Sequence, residues 1–314
     1  MTAWSIPLRT RFRGISVREG LLLQGDAGWG EFSPFLEYDD PTAAPWLQCA
    51  LESADLGWPD PVRDQIPVNV TVPAVGPKQA AQIVRDSGGC RTAKVKVAER
   101  GQAPAEDQAR LEAVREALGA TGLIRIDANA AWSVDEATAR IPVLEKAAGG
   151  LEYVEQPCPD VEDLALVRRN VDVPIAADES IRQAADPYRV RDLRAADIAV
   201  LKVQPLGGVR ACLRIAEEIG LPVVVSSAVE SSVGIAAGVA LAAALPELSH
   251  ACGLATVQLL TDDLVEDPLL PVLGALPSRR PRVDPEALAR LAAGPDRQQW
   301  WADRLHRVRQ RLDR

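Results

Sequence analysis

The sequence predicts an α/β fold: a closed parallel barrel preceded by a small α+β domain. Three observations carry this. From residue 68 onward, eight short β-type runs recur, each bounded by Pro, Gly or Asp. The stretches between them, such as PAEDQARLEAVREALG and GVRACLRIAEEIG, have apolar residues at three- and four-residue spacing and end in Gly, as helices do. The repeat is about 30 residues long, which favours a closed barrel over an open sheet. In chain order, residues 1–35 read as antiparallel strands joined by turns and residues 41–57 as a helix. The barrel runs are VNVTV (68–72), AKVKV (93–97), LIRID (123–127), LEYVE (151–155), PIAAD (174–178), DIAVLKV (197–203), PVVVSS (222–227) and ATVQLL (255–260). A Pro-rich connection (267–285) leads to PEALARLAAG and a final Arg-rich helix from about Asp296, whose basic face is expected in solvent. The expected division is a capping domain over 1–65, with a tail of about 275–314 packed on it, and a catalytic barrel over 66–274.

Composition excludes several classes. With 314 residues, 47% hydrophobic and 25% charged, the chain has material for a large core, and disorder is not its main state. A net charge of -9 gives no general attraction for nucleic acid or anionic membrane, so neither partner is expected. No run approaches the roughly 20 apolar residues of a spanning helix, and MTAWSIPLRTRF lacks a secretory apolar run, so a cytoplasmic protein is expected. Oligomeric state is left open. The five cysteines are scattered without a CxxC pair and read as buried small hydrophobes. With only His250 and His306, proton chemistry falls to other side chains. Only five of the 35 basic residues are lysines, so a lysine inside an apolar strand suggests a need for an amine that can lose its proton.

Parallel barrels place their chemistry at the C-terminal ends of the strands. There the second run carries Lys94 and Lys96, the third ends in Asp127, the fourth in Glu155, the fifth in Asp178 followed by Glu179, and the sixth carries Lys202. Singly, Asp127 reads as well as a helix cap, Glu155 as a salt-bridge partner and Lys202 as a snorkelling surface residue. Together they are less ordinary: acids at three successive strand ends have a chance expectation of about 0.3% for this composition. Three carboxylates in a low-dielectric mouth repel one another unless a cation sits among them. All-oxygen ligands with room for water and substrate suit Mg2+, with Mn2+ as a substitute. Lys96 and Lys202 flank that site, an arrangement suited to removing a proton beside a metal-bound carboxylate. Lys94, on the same strand face as Lys96, supplies a like charge. Lowering a lysine from about 10.4 to about 7–8 is a shift of roughly 4 kcal/mol.

In order, AKVKV, RIDAN, VEQP, AADES and VLKVQPLGG resemble the enolase superfamily, as do REG with GWGEFSPF near the start and SSAVESSVG after the seventh run. The resemblance implies a TIM-like (β/α)7β barrel with an N-terminal α+β capping domain, and the superfamily's pattern of a Lys or His base beside Mg2+. It implies Asp127, Glu155 and Asp178 as metal ligands, with Asn129, Glu179 and Arg125 in support. Lys96 would be the base, and Lys202 would stabilise the anionic intermediate from the other face. Ser226 and Ser227 would be donors to the substrate. Gly207 and Gly208 would either cap the next helix or bind an anion. Within the superfamily the sequence is most similar to members that dehydrate 2-succinyl-6-hydroxy-2,4-cyclohexadiene-1-carboxylate to 2-succinylbenzoate in menaquinone biosynthesis, Lys96 serving the syn elimination as base and then acid. The link between the first two strands is brief, where many members carry a substrate lid. Competing readings are racemisation of N-acylamino acids or epimerisation of dipeptides on the same scaffold. For the latter, Asp262-Asp263 stands near the eighth run without forming Asp-x-Asp. Further alternatives are a Schiff-base aldolase using Lys202 and a non-catalytic binding barrel.

Overall fold

In the computed structural model, described for residues 1–312, the chain begins with an antiparallel sheet in the order β1 (Thr2–Phe12), β2 (Ile15–Gly25), β3 (Gly28–Phe32). Alternating burial along β1 shows that one face is covered, as period-two patterning requires. That face, with Trp4, Ile6 and Leu8, packs on the barrel side, while Ala3, Leu21 and Phe32 of the sheet pack with α1 (Asp40–Leu51), which starts where Asp39 accepts a hydrogen bond from Thr42 N at 2.9 Å and continues into a π-helical turn over Glu52–Leu56. Gly30 faces the Ala50 carbonyl so closely that a Cβ would overlap it, which sets the separation of sheet and helix.

After β4 (Gln65–Pro67), the barrel runs β5 (Val70–Val72), α2 (Pro77–Arg85), β6 (Thr92–Lys96), α3 (Pro104–Leu118), β7 (Leu123–Asp127), α4 (Val134–Ala148), β8 (Val154–Glu155), α5 (Val161–Asn170) and β9 (Ile175–Ala177). It continues through the short α6 (Glu179–Arg182) and α7 (Arg189–Asp192), then β10 (Ile198–Lys202), α8 (Val209–Ile219), β11 (Val223–Ser226) and α9 (Ser232–Ala244). Strands β5 to β11 pair in sequence order, all parallel. The strands are Val- and Ile-rich and buried on both faces, as a parallel sheet covered by helices must be.

The eighth run departs from expectation. Residues 256–259 form a 3-10 helix, and the eighth barrel position is filled earlier in the chain by Cys252 and Gly253. Cys252 N donates to Pro67 O at 2.7 Å, Asn69 N to Cys252 O at 2.9 Å and Gly253 N to Val225 O at 2.8 Å, so two residues close the ring. The run ATVQLL is instead apolar because Val257 lies in the barrel core and Leu259 and Leu260 pack with Trp4, Ile6 and Leu8 of the first sheet.

Beyond it, β12 (Ala275–Pro277) pairs with β4, and α10 (Pro285–Arg290) precedes α11 (Pro295–Leu312). The expected solvated face of the last helix is partly wrong, because α11 lies on α1 and β3. Arg304 is buried and donates to the Phe35 and Tyr38 carbonyls at 3.1 and 2.6 Å. Trp301 packs edge-on against Phe32 at 5.9 Å. Residues 313–314 of the expected tail fall outside the described residues. Among the described residues no helix is long and apolar enough to cross a membrane. Because Trp301 is fully buried, Trp301→Ala is expected to cost about 3–5 kcal/mol. Urea unfolding measures this, and a loss below ~1 kcal/mol would show that α11 is not docked as described.

Candidate active site

Strand parity directs Lys94 and Lys96, Arg125 and Asp127, and Glu155 into the barrel, and pairing aligns them in layers. Lys94 is opposite Arg125, while Lys96, Asp127 and Glu155 are in register across β6, β7 and β8. Asp178 follows β9, and Lys202 is level with Ser226. Asp127 and Asp178 are 0% exposed and Glu155 1%. The Lys96 ammonium donates to Asp127 Oδ2 and to Asn129 Oδ1, both at 2.5 Å, with the Phe12 ring 5.3 Å away. Lys94 donates to Glu155 Oε1 and Oε2 at 2.9 and 3.0 Å and stands 3.3 Å from Asp127 Oδ2. Lys202 donates to Asp178 Oδ2 at 2.5 Å. One cavity is lined by Lys94, Lys96, Lys202, Asn129, Ser226 and Ser227, so the two flanking lysines meet a common space.

Burial dominates the electrostatics. It pushes the Lys96 ammonium below its usual range against the pull of Asp127, and Lys94 adds to the depression. Burial works to raise Asp127, yet Lys96 and Lys94 hold it far below the usual carboxylate range. Asp178 is likewise held low against burial, by Arg182 and Lys202. Glu155 is pushed up to about 7 by burial and by the Asp127 charge, with Lys94 opposing and Asp178 adding. Burial alone would lower Lys94, but Glu155 and Asp127 raise it above its ordinary value.

These carboxylates suit a hard divalent cation in donor type, burial and mutual repulsion. Glu179 Oε2, beside Asp178 in sequence, is buried without a hydrogen-bond partner. Among the described residues no three His, Cys, Asp or Glu side chains already form a metal-binding group. Each carboxylate is instead drawn to an ammonium, with Lys94 standing in for a cation between Glu155 and Asp127.

Other predicted residues divide. Asn129 N donates to Asp127 Oδ1 at 3.0 Å and Asn129 Nδ2 to Glu179 Oε1 at 3.3 Å, so both belong to the network. Arg125 does not reach it. Its partners are Glu152, the Tyr153 hydroxyl at 2.8 Å and the Ala251 carbonyl at 2.8 Å, one layer deeper, where it braces the barrel floor. Gly207 and Gly208 do not face the cavity, and the anion at the α8 N-terminus is Glu52 from the cap. Val209 N donates to Glu52 Oε2 at 2.6 Å and Arg210 N to Oε1 at 3.1 Å. Gly208, at φ 117°, is required because a Cβ would overlap that carboxylate. Ser227 Oγ is already committed, donating to Gly253 O at 2.7 Å and lying 2.8 Å from Thr256 Oγ1. Asp262 pairs with Arg290 at 3.0 Å, and Asp263 Oδ1 accepts from Ser232 N at 3.1 Å; neither lines the cavity.

Sequence reasoning misses Arg182, whose Nε donates to Asp178 at 2.9 Å and Nη2 to Glu179 at 2.6 Å. The spacing of three and four residues from those acids is the signal that could have found it. It also misses Arg18, a buried residue of β2, which donates to the Ala228 and Val229 carbonyls at 3.3 and 3.1 Å and so fixes one cavity wall. Glu31 completes the junction, accepting from Ser231 N and Gly234 N at the start of α9, both at 3.2 Å. Non-glycine residues with left-handed backbone gather just past the strand ends (Ala98, Asn129, Ala130, Gln156 and Val229), where strain is tolerated in binding sites.

A parallel barrel with lysines facing a row of strand-end acids beneath an α+β cap defines an enolase-superfamily protein. Residues 3–54 match the Enolase N-terminal domain-like family and residues 77–281 the Enolase C-terminal domain-like family. Among curated relatives, o-succinylbenzoate synthase of Thermobifida fusca is 66% identical over 93% of this chain and 92% of its own. The enzyme of that name from Mycolicibacterium smegmatis is 55% identical over 96% and 92%. The chain belongs to the o-succinylbenzoate synthase family of enzymes. Solved structures share the fold: a muconate lactonizing enzyme of Pseudomonas fluorescens (TM-score 0.79, 22% identity, 93% of this chain and 97% of that one) and the L-Ala-D/L-Glu epimerase of Bacillus subtilis (0.75, 24%, 90% and 95%). Removing the cap carboxylate in Glu52→Ala should leave the Val209 and Arg210 amides without their acceptor and cost about 1–3 kcal/mol. A chemical denaturation curve indistinguishable from wild type would contradict the contact.

Proposed function

We propose that this enzyme dehydrates 2-succinyl-6-hydroxy-2,4-cyclohexadiene-1-carboxylate to 2-succinylbenzoate in menaquinone biosynthesis, in the cytoplasm, with Mg2+ or Mn2+ as cofactor. The relatives' names support the reaction, and the observation that carries it is the meeting of Lys96 and Lys202 in one cavity, each bonded to a buried carboxylate, Asp127 or Asp178. In this reading residues 66–274 form the catalytic unit and residues 1–65 cap it.

Asp127, Glu155 and Asp178 would hold the cation. When bound, it supplies positive charge to the substrate carboxylate as the adjacent carbon loses its proton. The rest falls to the chain. Lys96, its ammonium disfavoured by burial and by Lys94, takes the proton from that carbon. The electron pair left behind forms the ring double bond as the carbon–oxygen bond breaks. The proton returns from Lys96 to the departing hydroxide on the same face, releasing water and an aromatic ring. Lys202 opposes the developing negative charge with its own. Asn129, bonded to Lys96 Nζ, and Phe12, beside it, hold the amine in place. With both lysines lining one cavity, racemisation of an N-succinylamino acid is the second reading. Epimerisation of dipeptides is disfavoured by the position of Asp262 and Asp263 outside the cavity.

Turnover of the cyclohexadiene carboxylate is expected to need Mg2+, to stop with EDTA and to recover when Mg2+ is restored. Lys96→Ala should lose about 10²–10⁴-fold in kcat, and Lys202→Ala a similar factor. Undiminished turnover in either variant would remove the mechanism. In D2O, fast exchange and racemisation of an N-succinylamino acid without dehydration of the diene would select the second reading.

A further inference from the structure

We propose that Arg13, in the turn between β1 and β2, binds the second carboxylate of the substrate. The inference rests on the reading above, in which the substrate carries one carboxylate at the reacting carbon and another at the end of a succinyl chain. The cavity shared by Lys96 and Lys202 has only about 20 Å3 of free space, room for little more than a water molecule. Two larger cavities adjoin it. One, of about 270 Å3, shares Phe12, Arg13, Lys96 and Asn129 with it; the other, of about 410 Å3, shares Thr71.

Charge decides between them. The first is lined by Arg11, Arg13 and Arg100 with Glu99 as its one acid, whereas in the second the lone Arg9 is offset by Asp86. A carboxylate leaving water needs a cation and its hydrogen bonds. Of the three arginines, only Arg13 lines both the reacting cavity and its neighbour. The Arg11 Nε is bonded to Gly14 O at 3.2 Å. Arg13 lies over the Phe35 ring at 4.6 Å and, among the described residues, forms no ion pair with a carboxylate.

The backbone points the same way. Phe12 pairs with Ile15 around a two-residue loop in which Arg13 and Gly14 have φ of 49° and 78°. Positive φ at both positions is the geometry for which Asn-Gly is favoured, and arginine is a poor choice for its first residue. A disfavoured residue at the corner that also lines both cavities marks a side chain kept for a purpose other than the turn.

Arg13→Asn installs the better turn sequence, so the variant should fold at least as well as wild type, which thermal unfolding checks. With the cyclohexadiene substrate its KM should rise about 10–100-fold while kcat changes little, and Arg13→Lys should fall between. Calorimetry with 2-succinylbenzoate and Mg2+ should show a similar loss of affinity. The product's methyl ester at the succinyl end should bind wild type and Arg13→Asn alike. An unchanged KM and affinity in Arg13→Asn would overturn the proposal, as would an equal loss for the ester or a loss in Arg9→Ala instead. If wild type fails to turn over the diene, the proposed reaction fails, while the difference between acid and ester still decides the role of Arg13.

Discussion

Like charges held side by side out of water govern this structure. Asp127, Glu155 and Asp178 end neighbouring strands of a parallel sheet, fully buried, where mutual repulsion and lost hydration both work against ionisation. Positive groups on either side make the arrangement tenable: Lys94 between Glu155 and Asp127, Lys96 on Asp127, and Lys202 with Arg182 on Asp178. The same burial that stresses the acids disfavours the charged form of Lys96. In the proposed reaction, that one physical circumstance serves both the cation and the base.

The cap shapes the space around that charge cluster. Phe12 and Arg13 line one side of the cavity shared by Lys96 and Lys202, and Arg18 holds the carbonyls of Ala228 and Val229 on another. Two cap carboxylates anchor this arrangement at helix N-termini, Glu31 at α9 and Glu52 at α8, where backbone N–H groups lack partners within the helix. The protein thus uses the helix-end geometry common in anion recognition to join its own parts.

Much of this was legible in the sequence because a strand's period of two fixes which residues share a face. AKVKV, LIRID and the end of LEYVE place Lys96, Asp127 and Glu155 together once the runs are recognised as consecutive parallel strands. Parity does not give depth, which is why Arg125, on the same face as Asp127, sits a layer lower against Tyr153. Nor can a local motif show what arrives from elsewhere in the chain, so the Gly207-Gly208 turn gave no sign of Glu52. The eighth run failed for a third reason: a short apolar stretch fits a strand or a packed helical turn equally well, and its partners in the first sheet decided the matter.

The Glu52 contact also bears on how such proteins can be recombined. Its carboxylate and the two amides it serves lie more than 150 positions apart in the sequence, and Gly208 is glycine because of it. Cap and barrel are therefore not interchangeable modules. A chimera that took only one of them from a relative lacking this match would carry a stranded acid on one side of the seam and a bare helix end on the other.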